Sequence, residues 1–129
     1  MKQNIMNKWV KALRSGDYKQ GFSVLAKRKP HQKTEFCCLG VLCDLAVKDG
    51  VDIDVNKSDS VVFFYNNMTG TLPNIIIKWA GMNTSVGKLP FDHKNVGLDY
   101  YYNLIDYNDK TNIGFEGIAT IIEKNWKLL

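Results

Sequence analysis

The stretch from Phe36 to Val47, FCCLGVLCDLAV, places apolar residues on nearly every side of the helix it would form. Phe36, Leu39, Cys43 and Ala46 make one stripe, and Cys38, Val41, Leu42 and Leu45 make the next. Asp44 is the only charge. A surface helix keeps a polar face, so a helix apolar all round belongs inside a domain. Strand is the rival reading, but the run is long for a strand and Cys, Leu and Ala are not β-branched. Thr34 is the expected cap, and Gly50 the expected stop. Gly40 in mid-helix costs up to about 1 kcal/mol against Ala. In a buried helix, close approach by another element is the usual return. The rest of the chain is expected to pack around this helix.

A chain of 129 residues can bury a real core as one domain, residues 1–129. Its 45% hydrophobic and 12% aromatic content argues against disorder. No apolar run approaches the roughly 20 residues of a membrane span, and the first residues lack the apolar region of a signal peptide. A cytosolic location is the expectation. Three cysteines, an odd number with two adjacent, fit a reducing compartment. The net charge of +4 conceals an asymmetry. Residues 1–33 hold seven Lys and two Arg against Asp17 alone, and the remainder is net acidic. A solvated basic face explains this, and so does a site for an anion such as a phosphate.

Ile5, Met6, Trp9, Val10 and Leu13 recur at helical spacing and predict an amphipathic helix over 5–14, closed by Gly16. Residues 15–21 form a shaped turn with exposed backbone amides. Phe22 to Ala26 reads as a strand with Phe22 and Leu25 packing inward, followed by a basic loop over 27–33. Alternation over 51–55 and the β-branched and aromatic run 61–65 predict a hairpin. Pro73 opens a short helix through Ala80, closed by Gly81. The polar stretch 82–96 is the expected mobile segment. A turn and short helix follow within 98–109, and 115–127 is a final helix burying Phe115, Ile118, Ala119, Ile122 and Trp126. The predicted class is α+β: one compact domain, a buried central helix, three or four flanking helices and a small antiparallel sheet.

Few constellations carry chemistry. Cys37, Cys38 and Cys43 lack metal-ligand spacing, and His31 and His93 form no paired motif, so structural thiols are the reading. An apolar helix would raise a thiol pKa rather than activate a nucleophile. Asp106 and Asp109 lie one turn apart, which capping explains as well as acid–base work. Neither the P-loop nor the dinucleotide-binding glycine pattern occurs. What remains is a composite site. Tyr18, Lys19, Gln20, Lys27 and Arg28 are candidates to contact phosphates, and Tyr65, Tyr100, Tyr101 and Tyr102 to stack on bases. Arg28 leads, because bidentate phosphate contact favours Arg over Lys and the chain has only two. Arg14 is the weaker, since capping its own helix would account for it. Each of these residues alone is more often a surface side chain.

Several motifs carry a resemblance. Trp9 to Gly21 (WVKALRSGDYKQG) and Phe36 to Leu45 (FCCLGVLCDL) resemble a family of small phage and prophage proteins. Leu72 to Gly81, the pair Asn108-Asp109 and the run from Phe115 to Glu123 extend the match. Residues 82–103 carry none of its motifs, a Gly expected after Asp109 is displaced to Gly114, and Lys replaces Arg in the first basic loop. The family is similar to phage immune-evasion sponges that capture cyclic nucleotide signals of the CBASS anti-phage system. The resemblance implies a protein of the host bacterial cytoplasm that is not an enzyme and needs no cofactor or metal. It would bind a cyclic dinucleotide such as cyclic GMP-AMP and lower its free concentration. It also implies a homo-oligomer, dimer or tetramer, with sites at or near subunit interfaces, and no membrane or long nucleic acid as partner. The alternatives are a phage protein that binds and inhibits a host protein, and a phosphodiesterase that degrades the signal.

Overall fold

A computed structural model describes residues 1–57, 59, 61–90 and 101–129. In chain order the elements are α1 (Gln3–Arg14), β1 (Lys19–Gln20), β2 (Ala26–Lys27), β3 (Glu35–Phe36), α2 (Cys38–Lys48), β4 (Val55–Lys57), β5 (Phe63–Tyr65), α3 (Asn74–Ala80), α4 (Leu104–Lys110) and α5 (Gly114–Asn125). The architecture is α+β, with α2 as the central helix. It packs against α1, α3, α4 and β3, while α5 covers α1 and α4.

Periodicity explains the outer helices. Ile5, Met6, Trp9, Val10 and Leu13 are the buried residues of α1, and the Trp9 indole donates to the Cys38 carbonyl at 2.9 Å. Ile118, Ala119 and Ile122 are buried on α5, with Phe115 and Trp126 half-buried beside them. Seven residues of α2 are buried, from Cys38 through Cys43 plus Ala46. Its start differs from expectation. Thr34 does not cap it; the Cys37 sulfur accepts from the Gly40 amide at 3.4 Å, and Phe36 belongs to β3. Gly40 has the role its cost implied. A Cβ there would lie 1.7 Å from the Leu25 carbonyl oxygen, so the chain before β2 crosses α2 at a distance only Gly permits.

The sheets are short. β3 pairs in parallel with β1 and antiparallel with β2, giving the order β1-β3-β2. β4 and β5 form the expected antiparallel hairpin, though its first arm begins only at Val55. An isolated bridge from Lys27 to Val62 joins the two sheets. The strand expected over 22–26 is reduced to its end. Ser23 adopts φ +70°, and its amide donates to the Asp109 carboxylate at 3.1 and 3.2 Å. The backbone turns there, and Phe22 is left 47% exposed while Leu25 stays buried. The expected mobile segment falls partly outside the described residues, at 91–96.

Asn108 is the one buried polar residue of the core among the described residues. Its side-chain oxygen accepts from the Cys38 amide (3.0 Å) and the Gln20 side chain (3.2 Å). Its amide nitrogen donates to the Gly21 carbonyl (2.9 Å) and to Asp109 (2.8 Å). A buried amide is tolerated only when its capacity is filled, as here. This side chain ties α4, the loop after β1 and the start of α2 together. Asp109 holds a loop amide rather than a helix end, whereas Asp106 pairs with Asn103 and Lys110 at the ends of its own helix.

Candidate functional site

The chain turns sharply after α1, with Gly16 at φ +78°, a conformation that glycine adopts without steric cost. The turn brings Tyr18 back over α2. There it meets Asp44, the lone charge of the apolar helix. The Tyr18 hydroxyl donates to Asp44 at 2.5 Å, Lys48 lies 2.8 Å from the same carboxylate oxygen, and the Lys48 ammonium donates to the Tyr18 oxygen at 2.9 Å. The triangle answers the cost of a partly buried carboxylate with two hydrogen-bonding partners. Burial, and then Asp44, raises the Tyr18 pKa, while Asp44, and then Tyr18, raises that of Lys48. At neutral pH the phenol is therefore a neutral donor and the ammonium is charged.

The ring of Tyr18 meets Phe36 edge to face, centroids 5.3 Å apart at 80°, and the Lys48 ammonium lies 5.1 Å from its centre. Next to this aromatic wall opens a cleft of about 430 Å³, within the range of small-molecule sites. Lys19, Arg28, Lys33 and Lys48 line it, against the carboxylates of Asp17 and Asp44. The cations differ in what they have left to offer. Glu35 on the middle strand bridges Lys19 (3.3 Å) and Lys27 (3.9 Å) from the two flanking strands. Lys48 is held by Asp44. Arg28 is exposed, its backbone amide bonded to the Val61 carbonyl (2.9 Å) and its guanidinium 5.9 Å from the Phe63 ring centre. Among the described residues no carboxylate pairs with Arg28 or Lys33.

The cleft thus brings together Tyr18, Lys19 and Arg28 of the expected site. The other candidates lie elsewhere. Arg14 is committed to α5, donating to Glu116 (2.9 Å), to both oxygens of Glu123 (2.8 Å each) and to Thr120 (3.3 Å). Gln20 serves the Asn108 network. Lys27 points to Glu35. Tyr65 is a core residue, 3% exposed, with a pKa raised by burial, so it has no face to offer a base. Tyr101 packs edge to face on Tyr107 at 5.5 Å, and Tyr102 is exposed before α4; neither lines the cleft. Tyr100 lies outside the described residues. The turn's amides are partly used: that of Asp17 donates to Ser15 Oγ (3.1 Å) and that of Gly21 to the Phe36 carbonyl (2.8 Å). Sequence reasoning missed Phe36, Asp44, Lys48 and Lys33. Asp44 was the available signal, because a lone charge in an apolar helix requires a partner.

A family model described as Domain of unknown function (DUF8296) matches residues 1–126. The chain belongs to the DUF8296 family. No curated protein matches it, nor does any solved structure.

The three thiols of this DUF8296 protein stand apart from the cleft. All are free and buried, and burial pushes Cys37 up to about 11 and the other two well above their ordinary value. Cys37 caps α2, and the Cys38 thiol donates to the Leu104 carbonyl at 3.5 Å. Among the described residues no three His, Cys, Asp or Glu side chains converge to hold a metal ion, and no helix is long and apolar enough to cross a membrane.

Proposed function

We propose that this DUF8296 protein binds a phosphate-bearing nucleotide in the cleft beside Tyr18 and holds it without cleaving it. The observation that carries this reading is Arg28, an exposed guanidinium with no carboxylate partner among the described residues, at the rim of a cleft walled by Tyr18 and Phe36. A guanidinium fork suits a phosphate, and an aromatic wall suits a base. Asp44, the half-buried carboxylate of the cleft, is already closed by Tyr18 and Lys48, so it neither repels an anion strongly nor stands free as a base, and Asp17 lies exposed to solvent, which screens its charge. The motif resemblance narrows the ligand to a cyclic dinucleotide such as cyclic GMP-AMP. The role is then sequestration of an immune signal in the host cytoplasm, by a phage protein acting as a homo-oligomer. Sequestration needs affinity and abundance rather than turnover.

The test is to incubate the protein with a panel of cyclic nucleotides, remove free ligand, denature, and identify what is released by mass spectrometry. Intact ligand is expected. Linearised product would make the protein a phosphodiesterase, and an empty protein would point to a protein-binding role instead. Calorimetry on Arg28→Ala checks the site. A lost charged hydrogen bond predicts roughly ten- to hundredfold weaker binding. Wild-type affinity in that variant would move the site elsewhere.

A further inference from the structure

A second concavity of about 310 Å³ lies on the other side of Tyr18. It shares Asp17, Tyr18 and Lys48 with the first cleft. Its own walls come from two helices. Lys8, Lys11 and Ala12 recur along one edge of α1, turned away from the buried stripe, and Leu45 sits one turn before Lys48 on α2. The floor is apolar, made by Ala12, Leu45 and the body of Tyr18, while lysines form the rim. Of these, Lys8 is closed by Asp49, at 2.6 and 2.8 Å to its two oxygens. Lys48 is closed by Asp44. Lys11 is exposed, and no carboxylate among the described residues pairs with it.

The arrangement is two-sided. Each concavity holds an aliphatic or aromatic surface and cations that no carboxylate among the described residues pairs with, Arg28 and Lys33 in one and Lys11 in the other, and the exposed carboxylate of Asp17 borders both. Tyr18, fixed at its hydroxyl by Asp44 and Lys48, is the ridge between them. A ligand with one phosphate can satisfy only one side. We infer that the ligand straddles Tyr18, and that the groove between α1 and α2 is a second anion subsite in which Lys11 takes the second phosphate of a dinucleotide. This rests on the proposed nucleotide binding and adds the place of its second charge.

Calorimetry with 3′,3′-cyclic GMP-AMP as the probe tests it on four proteins: wild type, Arg28→Ala, Lys11→Ala and Lys124→Ala. Lys124 is an exposed lysine on α5 outside both concavities. Lys11→Ala should weaken binding about tenfold, the lower end for a charged hydrogen bond. Lys124→Ala should leave affinity unchanged. Lys11→Gln, which keeps most of the stem, should repeat the loss. If Lys11→Ala binds like wild type while Arg28→Ala is weakened, the second subsite is overturned and the nucleotide site stands. An equal loss in Lys124→Ala also overturns it, because the effect is then one of general charge. If Arg28→Ala binds like wild type, or the wild type does not bind the probe, the parent reading falls and the subsite falls with it.

Discussion

Replacing Gly40 with Ala should destabilise the protein, although helix propensity argues the opposite. In a helix interior Ala is favoured over Gly by about 1 kcal/mol. Here the new methyl would stand 1.7 Å from the Leu25 carbonyl oxygen and 2.6 Å from its carbon. Both are backbone atoms, so no side-chain rotation relieves the contact, and either α2 or the Leu25 segment must move by more than an ångström. That segment is pinned: the Leu25 amide donates to the Thr69 carbonyl at 2.6 Å, and the Leu25 carbonyl accepts from Cys37 at 3.1 Å. Overpacking costs about 1–3 kcal/mol in ordinary cores, and losing a buried hydrogen bond adds about 1 kcal/mol. Set against the propensity gain, a net loss of about 1–3 kcal/mol is expected, or roughly 4–12 °C in Tm at this chain length. The displaced segment leads into Lys27 and Arg28, so ligand affinity should fall as well. Thermal and urea unfolding followed by circular dichroism measure the first effect. A Tm equal to or above wild type would refute the close crossing and, with it, the account of how Arg28 is positioned.

Three further outcomes follow from the same contacts. Asn108→Ala leaves the Cys38 amide and the Gly21 carbonyl without their partner; a loss of about 3 kcal/mol in urea unfolding is expected from the usual cost of buried unsatisfied groups, and a change under about 0.5 kcal/mol, as at surface sites, would remove Asn108 from the core. Burial raises Cys37 from 9.0 to about 11. The folded state therefore keeps a proton that the unfolded state releases, and this contribution is full below pH 9 and lost as pH rises toward 11. Urea midpoints should fall across that window, and a flat profile would contradict the burial. Arg14→Ala should lower Tm by releasing α5 from α1 yet leave cyclic GMP-AMP affinity intact; reduced affinity in a folded variant would return Arg14 to the site.

What was legible in the sequence was what is locally periodic. The stripe of α1 and the all-round apolar α2 follow from spacing alone, and Gly40 in mid-helix gave advance notice of a crossing partner. The hairpin was readable from Val61 to Tyr65. The paired residues of β1, β2 and β3 number two each, too few for a pattern of period two to declare itself. Phe22 looked like a packing residue because nothing nearby announces that Asp109, 86 positions away, turns the backbone at Ser23. Gln20 looked like a ligand contact for the same reason: its partner Asn108 is 88 residues distant. Tyr65 and Arg14 belong to types that serve equally in a core, a clamp or a site, and only burial or partners separate those uses. The cleft shows the same limit. Tyr18, Lys19 and Arg28 were found by type, and Asp44 signalled itself as a lone charge, but its partners Tyr18 and Lys48 became legible only once the turn at Gly16 laid Tyr18 across α2.

The clamp between Arg14 and α5 sets an order of events during synthesis. Arg14 and Glu116 are 102 residues apart, which a ribosome covers in roughly 5–20 s. Until α5 has been made, α1 lacks the helix it packs on most, and part of its apolar edge has no cover. A half-made chain of this kind is a natural client for a chaperone. Pulling force measured on stalled nascent chains of increasing length should rise late, when α5 emerges, rather than when α2 does.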